Sequence, residues 1–235
     1  MSDNVFNTLL FFVTLVLYLG APVAAYKLFG KSGLYVWTAF SVVIANIEAL
    51  KMVTMFGLPL SLGNALYASS FLTTDILSEN HSKQDATKAV NIGLFVTIVW
   101  IIASQLIILF RPNEFDFVQP AFHDVFGLVP RISIASIITY AVTQRIDILL
   151  YHFFWKKTGN NKKFLWLRNN CSTAISQGFD TLIFTLVAFA GVYEWSYVWI
   201  LCGTSYVVKF VVTVCDTPFV YISRKIANAT TKAKA

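Results

Sequence analysis

Charge is what this chain has least of. Only 13% of its 235 residues are Asp, Glu, Lys or Arg, against about 25% in an ordinary soluble domain. Cysteine and histidine are equally sparse, at three each. Cys171, Cys202 and Cys215 form no even, spaced set, so they give neither a disulfide framework nor a metal centre. They read as small residues of apolar helices. His81, His123 and His152 fall in or near loops, and no HExxH or GxSxG pattern occurs. A paired intramembrane protease signature and a Gly-rich phosphate loop are also missing. An enzyme therefore has no signature here, and no cofactor or metal is expected. The N-terminus lacks the basic segment of a cleaved signal peptide: Asp3 is the only charge before the uncharged run Asn4–Tyr26. That run is expected to be a retained membrane span.

What is abundant is apolar surface. Hydrophobic residues make up 57%, aromatics 16%, and the mean hydropathy is +0.65. This excludes a soluble globular protein and a disordered one, and predicts an all-α integral membrane protein. The length suits one domain of six to eight spans, without room for an attached ATPase. A crossing helix needs about 20 apolar residues. Seven such stretches are expected, at 5–26, 33–56, 60–79, 89–110, 131–155, 170–192 and 197–222. Gly57-Leu58-Pro59 separates the second from the third.

The net charge of +6 and pI near 9.2 would suggest nucleic acid in a soluble protein. Here they set orientation, and no nucleic acid is expected as a partner. Thirteen basic residues, from Lys27 and Lys31 through Lys156–Arg168 to Lys234, fall on one side of the seven-span scheme, and only Arg111 and Arg131 on the other. Such asymmetry marks the first side as cytoplasmic. The N-terminus is then outside, the C-terminus inside, and the protein is expected in the inner (cytoplasmic) membrane as a multi-pass protein. The long external segment Arg111–Pro130, with Phe115, Phe117, Phe122 and Phe126 among acids, reads as interfacial, either a short lid or a wet loop.

The spans are not uniformly apolar. Lys51, Arg145 and Lys209 lie within them, as do Glu48, Asp75, Asp147, Asp180 and Asp216. A bare charge at mid-membrane costs roughly 2.5–3.5 kcal/mol even on the lenient insertion scale. Eight of them need partners, water or protons, and an internal polar cavity is the economical arrangement. Glu48 and Lys51, three apart, are expected to form an intrahelical ion pair. Arg145 points away from its neighbours' polar face, to snorkel or pair with an acid. Spans one and four carry no charge and read as lipid-facing scaffold.

Helical phase supports the cavity. Asn169, Thr173, Ser176, Gln177 and Asp180 form one stripe of span six. Ser133, Ser136, Tyr140, Thr143, Gln144 and Asp147 form one on span five, and Ser205, Lys209, Thr213 and Asp216 on span seven. Asn64, Asp75 and Glu79 share a face of span three. Ser and Thr can merely glue helices, which accounts for Ser133, Ser136 and Thr213 but poorly for Asp147, Asp180, Lys209 and Asp216. Two functional classes fit such a cavity: a carrier with a midplane site, and a seven-helix ligand or retinal receptor with Lys209 as its Schiff base. Ser205, one turn before Lys209, supplies no carboxylate to support the second.

Four ordered segments then resemble a known family: TTDILSEN at 73–80, RISIASIITYAVTQRID at 131–147, RNNCSTAISQGFDTLIF at 168–184 and KFVVTVCDTPFVY at 209–221. They are similar to the queuosine precursor transporters, also called the vitamin uptake transporter family, and the likeness spans about residues 34–222. The resemblance implies a six-helix core, 33–222, similar to the substrate-binding components of energy-coupling-factor importers. An extra N-terminal helix and loop (1–32) would precede it and a basic cytoplasmic tail (223–235) follow. It also implies import of 7-deazaguanine bases such as preQ0, preQ1 or queuine. Such a base offers N1–H and an exocyclic amino group as adjacent donors, which one carboxylate accepts as a bidentate pair. Asp180 and Asp147, then Asp216 and Asp75, are the candidates. Lys209, Gln177, Gln144 and Asn46 are candidate donors to the O6 carbonyl, and Tyr140, Phe184 and Tyr206 candidate stacking surfaces. Glu79, Arg168, Asn169 and Ser176 are secondary candidates. The energy source stays open between a secondary carrier or facilitator and a capture subunit served by a separate ATPase module. The second has only Ala45 and Ala49 as a small-residue docking pattern. A homodimer is compatible with the sequence.

Overall fold

A computed structural model describes residues 2–234 except 50, 128, 160, 192 and 193; the side chains of 52, 59–61, 64, 65, 68, 127–133 and 230–234 lie outside the description. The expectations for the Asn64 and Ser133 side chains fall on these undescribed positions.

The uncharged opening run forms α1, Asp3–Phe29. One stripe of it, Phe11, Leu15, Leu19, Val23 and Tyr26, is buried, while Val13, Val16 and Leu17 face outward. Gly30, at φ 61°, ends the helix with its N–H on the Tyr26 carbonyl, and α2 (Lys31–Glu48) starts at once. The expected second span, 33–56, is corrected here: the helix stops at Glu48. Residues 52–61 fold instead as an antiparallel hairpin, β1 (Met52–Met55) on β2 (Leu58–Ser61), with Met55 opposite Leu58. A short apolar run does not by itself distinguish strand from helix. The Phe56-Gly57 dipeptide decides it, because both residues have positive φ (55° and 73°), the geometry of a two-residue hairpin turn. Phe56 is held in this unfavourable conformation by α1. Its N–H meets Thr8 Oγ1 at 3.2 Å, its ring lies edge-on to Phe11 and Phe12, and Gly57 N–H meets Asn4 Oδ1 at 3.1 Å.

Lys51 consequently lies beyond the helix and is exposed. The expected Glu48–Lys51 pair is not among the ion pairs of the described residues; Glu48 accepts the Tyr18 hydroxyl from α1 instead.

The remaining helices are α3 (Gly63–Asn80), α4 (Lys83–Leu109), α5 (Gln119–Gly127), α6 (Val129–Thr158), α7 (Leu165–Phe189) and α8 (Trp195–Lys234). Ser82 caps α4, accepting the Asp85 N–H at 3.1 Å. The Arg111–Pro130 segment thus carries a short helix, and α8 runs well past residue 222. Among the described residues five helices, α1, α4, α6, α7 and α8, are long and apolar enough to cross a bilayer. With the all-helical architecture, this is an integral membrane protein.

The polar helix is the central one. α3 packs against α1, α2, α4, α6 and α8, and every residue from Ser69 to Phe71 and on through Glu79 is buried. Its low hydropathy follows from its place, for it meets protein on all sides rather than lipid. The outward faces are apolar instead, with Val13, Phe95 and Leu109 more than 60% exposed. Lipid is as apolar as leucine, so close packing and interhelical hydrogen bonds, rather than hydrophobic transfer, hold such a bundle together. Close packing is visible at Gly63, where a Cβ would lie 2.8 Å from the Ala45 carbonyl oxygen and 2.9 Å from Ala49 N. Ala45 and Ala49 therefore seat α3 against α2.

Candidate functional site

Polar side chains from α3, α6, α7 and α8 meet inside the bundle in three groups. The first surrounds Asp180 of α7. Tyr67 (α3) and Thr143 (α6) donate hydroxyls to its Oδ1 at 2.8 and 3.1 Å, and Lys209 (α8) pairs with its Oδ2. The ammonium also lies 5.5 Å from the Tyr67 ring centroid. Four helices thus converge on one carboxylate, as the stripes of spans five, six and seven predict. Tyr67 escaped the sequence reading. Its signal is a hydroxyl stripe, Tyr67, Ser70, Thr74 and Ser78, at helical spacing on α3.

The second group gathers Asp75 (α3), Asp147 (α6) and Asp216 (α8), which lie within electrostatic reach of one another. Thr173 donates to Asp75 Oδ2 at 3.1 Å, Ser176 to Asp147 Oδ1 at 2.8 Å, and Asn169 Nδ2 to Asp216 Oδ1 at 2.7 Å. All three donors are the α7 residues of the predicted stripe. The Asp75 and Asp147 carboxyls lie within hydrogen-bond reach of each other, and beyond a proton shared between them their second oxygens are buried without a donor, as is Asn169 Oδ1. Gln177, fully buried, has a partner at neither end of its amide. Gln177 stands between the residue that binds Asp147 (Ser176) and, one turn on, Asp180. The Tyr140 hydroxyl is also buried and unpartnered, its ring 6.1 Å from that of Tyr67. Gly93 of α4 makes room for this tyrosine, since a Cβ there would collide with its ring.

The third group lies toward the α7 N-terminus. Arg168, with no exposed surface, donates Nε–H to Glu79 Oε2 at 2.9 Å and Nη1–H to the carbonyls of Gly159 and Asn161 at 3.3 and 3.2 Å. Its guanidinium covers the Trp155 ring at 4.5 Å. Glu79 also accepts the Tyr151 hydroxyl at 2.6 Å and pairs with Arg224 at 2.8 Å. The sequence reading singled out Glu79 and Arg168 but not Tyr151 or Arg224.

The other candidates divide. Gln144 is in the core, but its amide is engaged at both ends by α3: Thr74 donates to it at 3.2 Å and it donates to Ser70 at 2.8 Å. Asn46 is half-buried on α2 and donates to the Val42 carbonyl of its own helix at 2.7 Å, so it does not join the four-helix cluster. Tyr206 hydrogen bonds the Ala174 carbonyl at 3.3 Å, and Phe184 packs edge-on to Phe189. Neither ring contacts the carboxylate groups in any described interaction. Arg145 meets an amide, Asn91, and a carbonyl, Ala141, rather than an acid. Among the described residues no set of three or more His, Cys, Asp or Glu side chains has the geometry to hold a metal ion.

Comparison with known proteins sets this core in context. Residues 61–223 match the family described as "Putative vitamin uptake transporter". The chain is 38% identical over 204 residues to a protein of Bacillus subtilis (strain 168) named "Probable queuosine precursor transporter", covering 86% of this chain and 87% of the relative. A Haemophilus influenzae protein of the same name is 25% identical over 159 residues, covering 67% and 63%. No solved structure matches significantly. The matched region contains the three polar groups except Arg224, which lies one residue beyond it, and the receptor alternative draws no support from any of these relatives. By both the family match and the extent of its likeness to the Bacillus protein, the chain belongs to the vitamin uptake transporter family, a family of transporters rather than enzymes.

Proposed function

We propose that the protein imports queuosine precursors, binding a 7-deazaguanine base among α3, α6, α7 and α8. The observation that carries the reading is Gln177: a buried amide open at both ends, on the α7 stripe between Ser176, which binds Asp147, and Asp180. An unpaired buried polar group costs about 1–3 kcal/mol, and a ligand that completes it recovers that cost. Gln177 Nε2 suits the O6 carbonyl of a deazaguanine. The donor-free oxygens of Asp75 and Asp147 suit its adjacent N1–H and amino donors. Asp180, whose oxygens already hold Tyr67, Thr143 and Lys209, would accept the base by exchanging one of these donors. Tyr67, whose hydroxyl meets Asp180, and Tyr140, its ring 6.1 Å from that of Tyr67, are the aromatics offered for stacking.

Seven crossings accompany the proposal, with α2 and α3 completing the five apolar spans, the N-terminus outside and the basic ends in the cytoplasm of the inner membrane. The charge asymmetry of the loops supports that orientation, and so does the placing of the hairpin and α5 at the end poor in basic residues. The six helices after α1 form the transporting core, working as a secondary carrier or facilitator.

The test is binding of preQ0, preQ1 and queuine to purified protein, with uptake by the same protein in liposomes with and without a pH gradient. At least one base is expected to bind saturably, and Asp180→Ala is expected to abolish uptake; because that change also strands the buried Lys209, it is read beside Gln177→Leu, which removes a site amide without breaking an ion pair and is expected to lose binding in protein made at normal levels. Failure of all three bases, or full uptake by Asp180→Ala, would overturn the reading of this site.

A further inference from the structure

The outer face of the bundle carries a polar feature of its own. Along the first turns of α4 runs an open groove of about 310 Å3 lined by Lys83, Gln84, Thr87, Lys88 and Asn91. α6 borders it. At the upper end Arg145 donates an Nη2–H to Asn91 Oδ1 at 3.3 Å. At the lower end His152 lies close enough to Lys83 and Lys156 to feel their charge. Lys83, Lys88, Asn91 and Arg145 are all exposed.

These cations lack acidic partners among the described residues. Lys88 lies over the Tyr35 ring at 5.4 Å, and Arg145 has only Asn91 and the Ala141 carbonyl. The nearest acid of α4, Asp85, is held by Lys31, Tyr35 and Ser82. The stripe of α4 that holds Gln84, Lys88 and Asn91 continues at helical spacing through Phe95, Ile98 and Ile102, each 45% or more exposed. One face of the helix thus passes from basic and polar to purely apolar. Lys83 and Asn91 are two turns apart, about 12 Å, the scale of a lipid headgroup. An arginine on the otherwise apolar outer face of a span, here among Ile138, Val142 and Leu149, is costly unless an anion meets it, and basic pockets between spans at the cytoplasmic side suit anionic headgroups.

The geometry points to a binding site for an anionic glycerophospholipid between α4 and α6. Its phosphate meets Lys88 and Arg145, its polar headgroup lies against Lys83 and Gln84, and its acyl chains follow Phe95, Ile98 and Ile102. The site is independent of the transported substrate, so its test needs none.

Delipidated full-length protein in neutral detergent is titrated with labelled phosphatidylglycerol and, separately, phosphatidylcholine. Inorganic phosphate serves as competitor. Saturable binding of phosphatidylglycerol and little of phosphatidylcholine is expected. Each cation near an anionic headgroup contributes roughly fivefold, so Lys83→Gln/Lys88→Gln should weaken binding about 25-fold and Arg145→Gln about fivefold. Arg111→Gln, at the other end of α4, should change nothing. The lysines are exposed and serve no fold contact beyond the Tyr35 ring, so the double variant decides the matter even if Arg145→Gln folds poorly. Equal binding of both lipids, unchanged binding by the double variant, or complete displacement by inorganic phosphate would each overturn the proposal.

Discussion

Two of the three polar groups buried in this bundle are completed to different degrees. Around Glu79, both carboxylate oxygens are taken by Arg168, Arg224 and Tyr151, and the remaining Arg168 donors reach two backbone carbonyls. Around Gln177, Asp75 and Asp147, the same helices leave amide and carboxylate atoms without partners. A buried ion pair resists water only when its leftover donors and acceptors are also met. Glu79 and Arg168 meet that condition, and they pin α3, α7 and α8 together beside the Gly159 and Asn161 carbonyls. The second group does not, and an incomplete polar core is destabilising unless something else completes it. The contrast separates a fastening from a receptacle within one continuous interior.

Substitutions should grade along that contrast. Arg168→Ala is expected to do most damage to the fold. Removing one partner of a buried pair costs roughly 3–5 kcal/mol, and the retained Arg224 keeps the loss near the lower end. Thermal unfolding in detergent should show a fall in Tm of several degrees, and an unchanged Tm would remove the fastening role. Gln144→Ala comes next, since it strips Ser70 and Thr74 of their α6 partner at a cost of about 1–3 kcal/mol, read in the same experiment. Gln177→Leu should have the smallest effect on the fold. Replacing an unpaired buried amide by an apolar group of similar size leaves Tm level or raises it. Base binding, measured by titration, should be lost in the same protein. A clear drop in Tm for Gln177→Leu would mean that its amide is engaged and would collapse the distinction.

The phase of each polar stripe is legible in the sequence. α7 places Asn169, Thr173, Ser176, Gln177 and Asp180 on one line, and all five are buried against α3, α6 and α8. The membrane class was legible too. The hairpin was not, because Met52–Ser61 is apolar enough to continue a helix and its strand character rests on a turn held by Asn4 and Thr8 across some fifty residues. Asn46 shows a related effect: an isolated amide in an apolar span can turn back on its own helix. Glu48 and Lys51 stood at ion-pair spacing, but the spacing matters only if the helix continues, and it ends between them.

By itself, then, the sequence determined that this chain lives in a bilayer and from which edge of each helix its polar groups leave. Composition and a 100° rotation per residue suffice for that. Only the tertiary structure decided that Gln144 is occupied while Gln177 is open, and that Lys209 chooses Asp180 among four buried aspartates. The reason is geometric. Helical phase fixes the direction in which a side chain departs, whereas its partner depends on the height and tilt of a neighbouring helix, which no local pattern encodes.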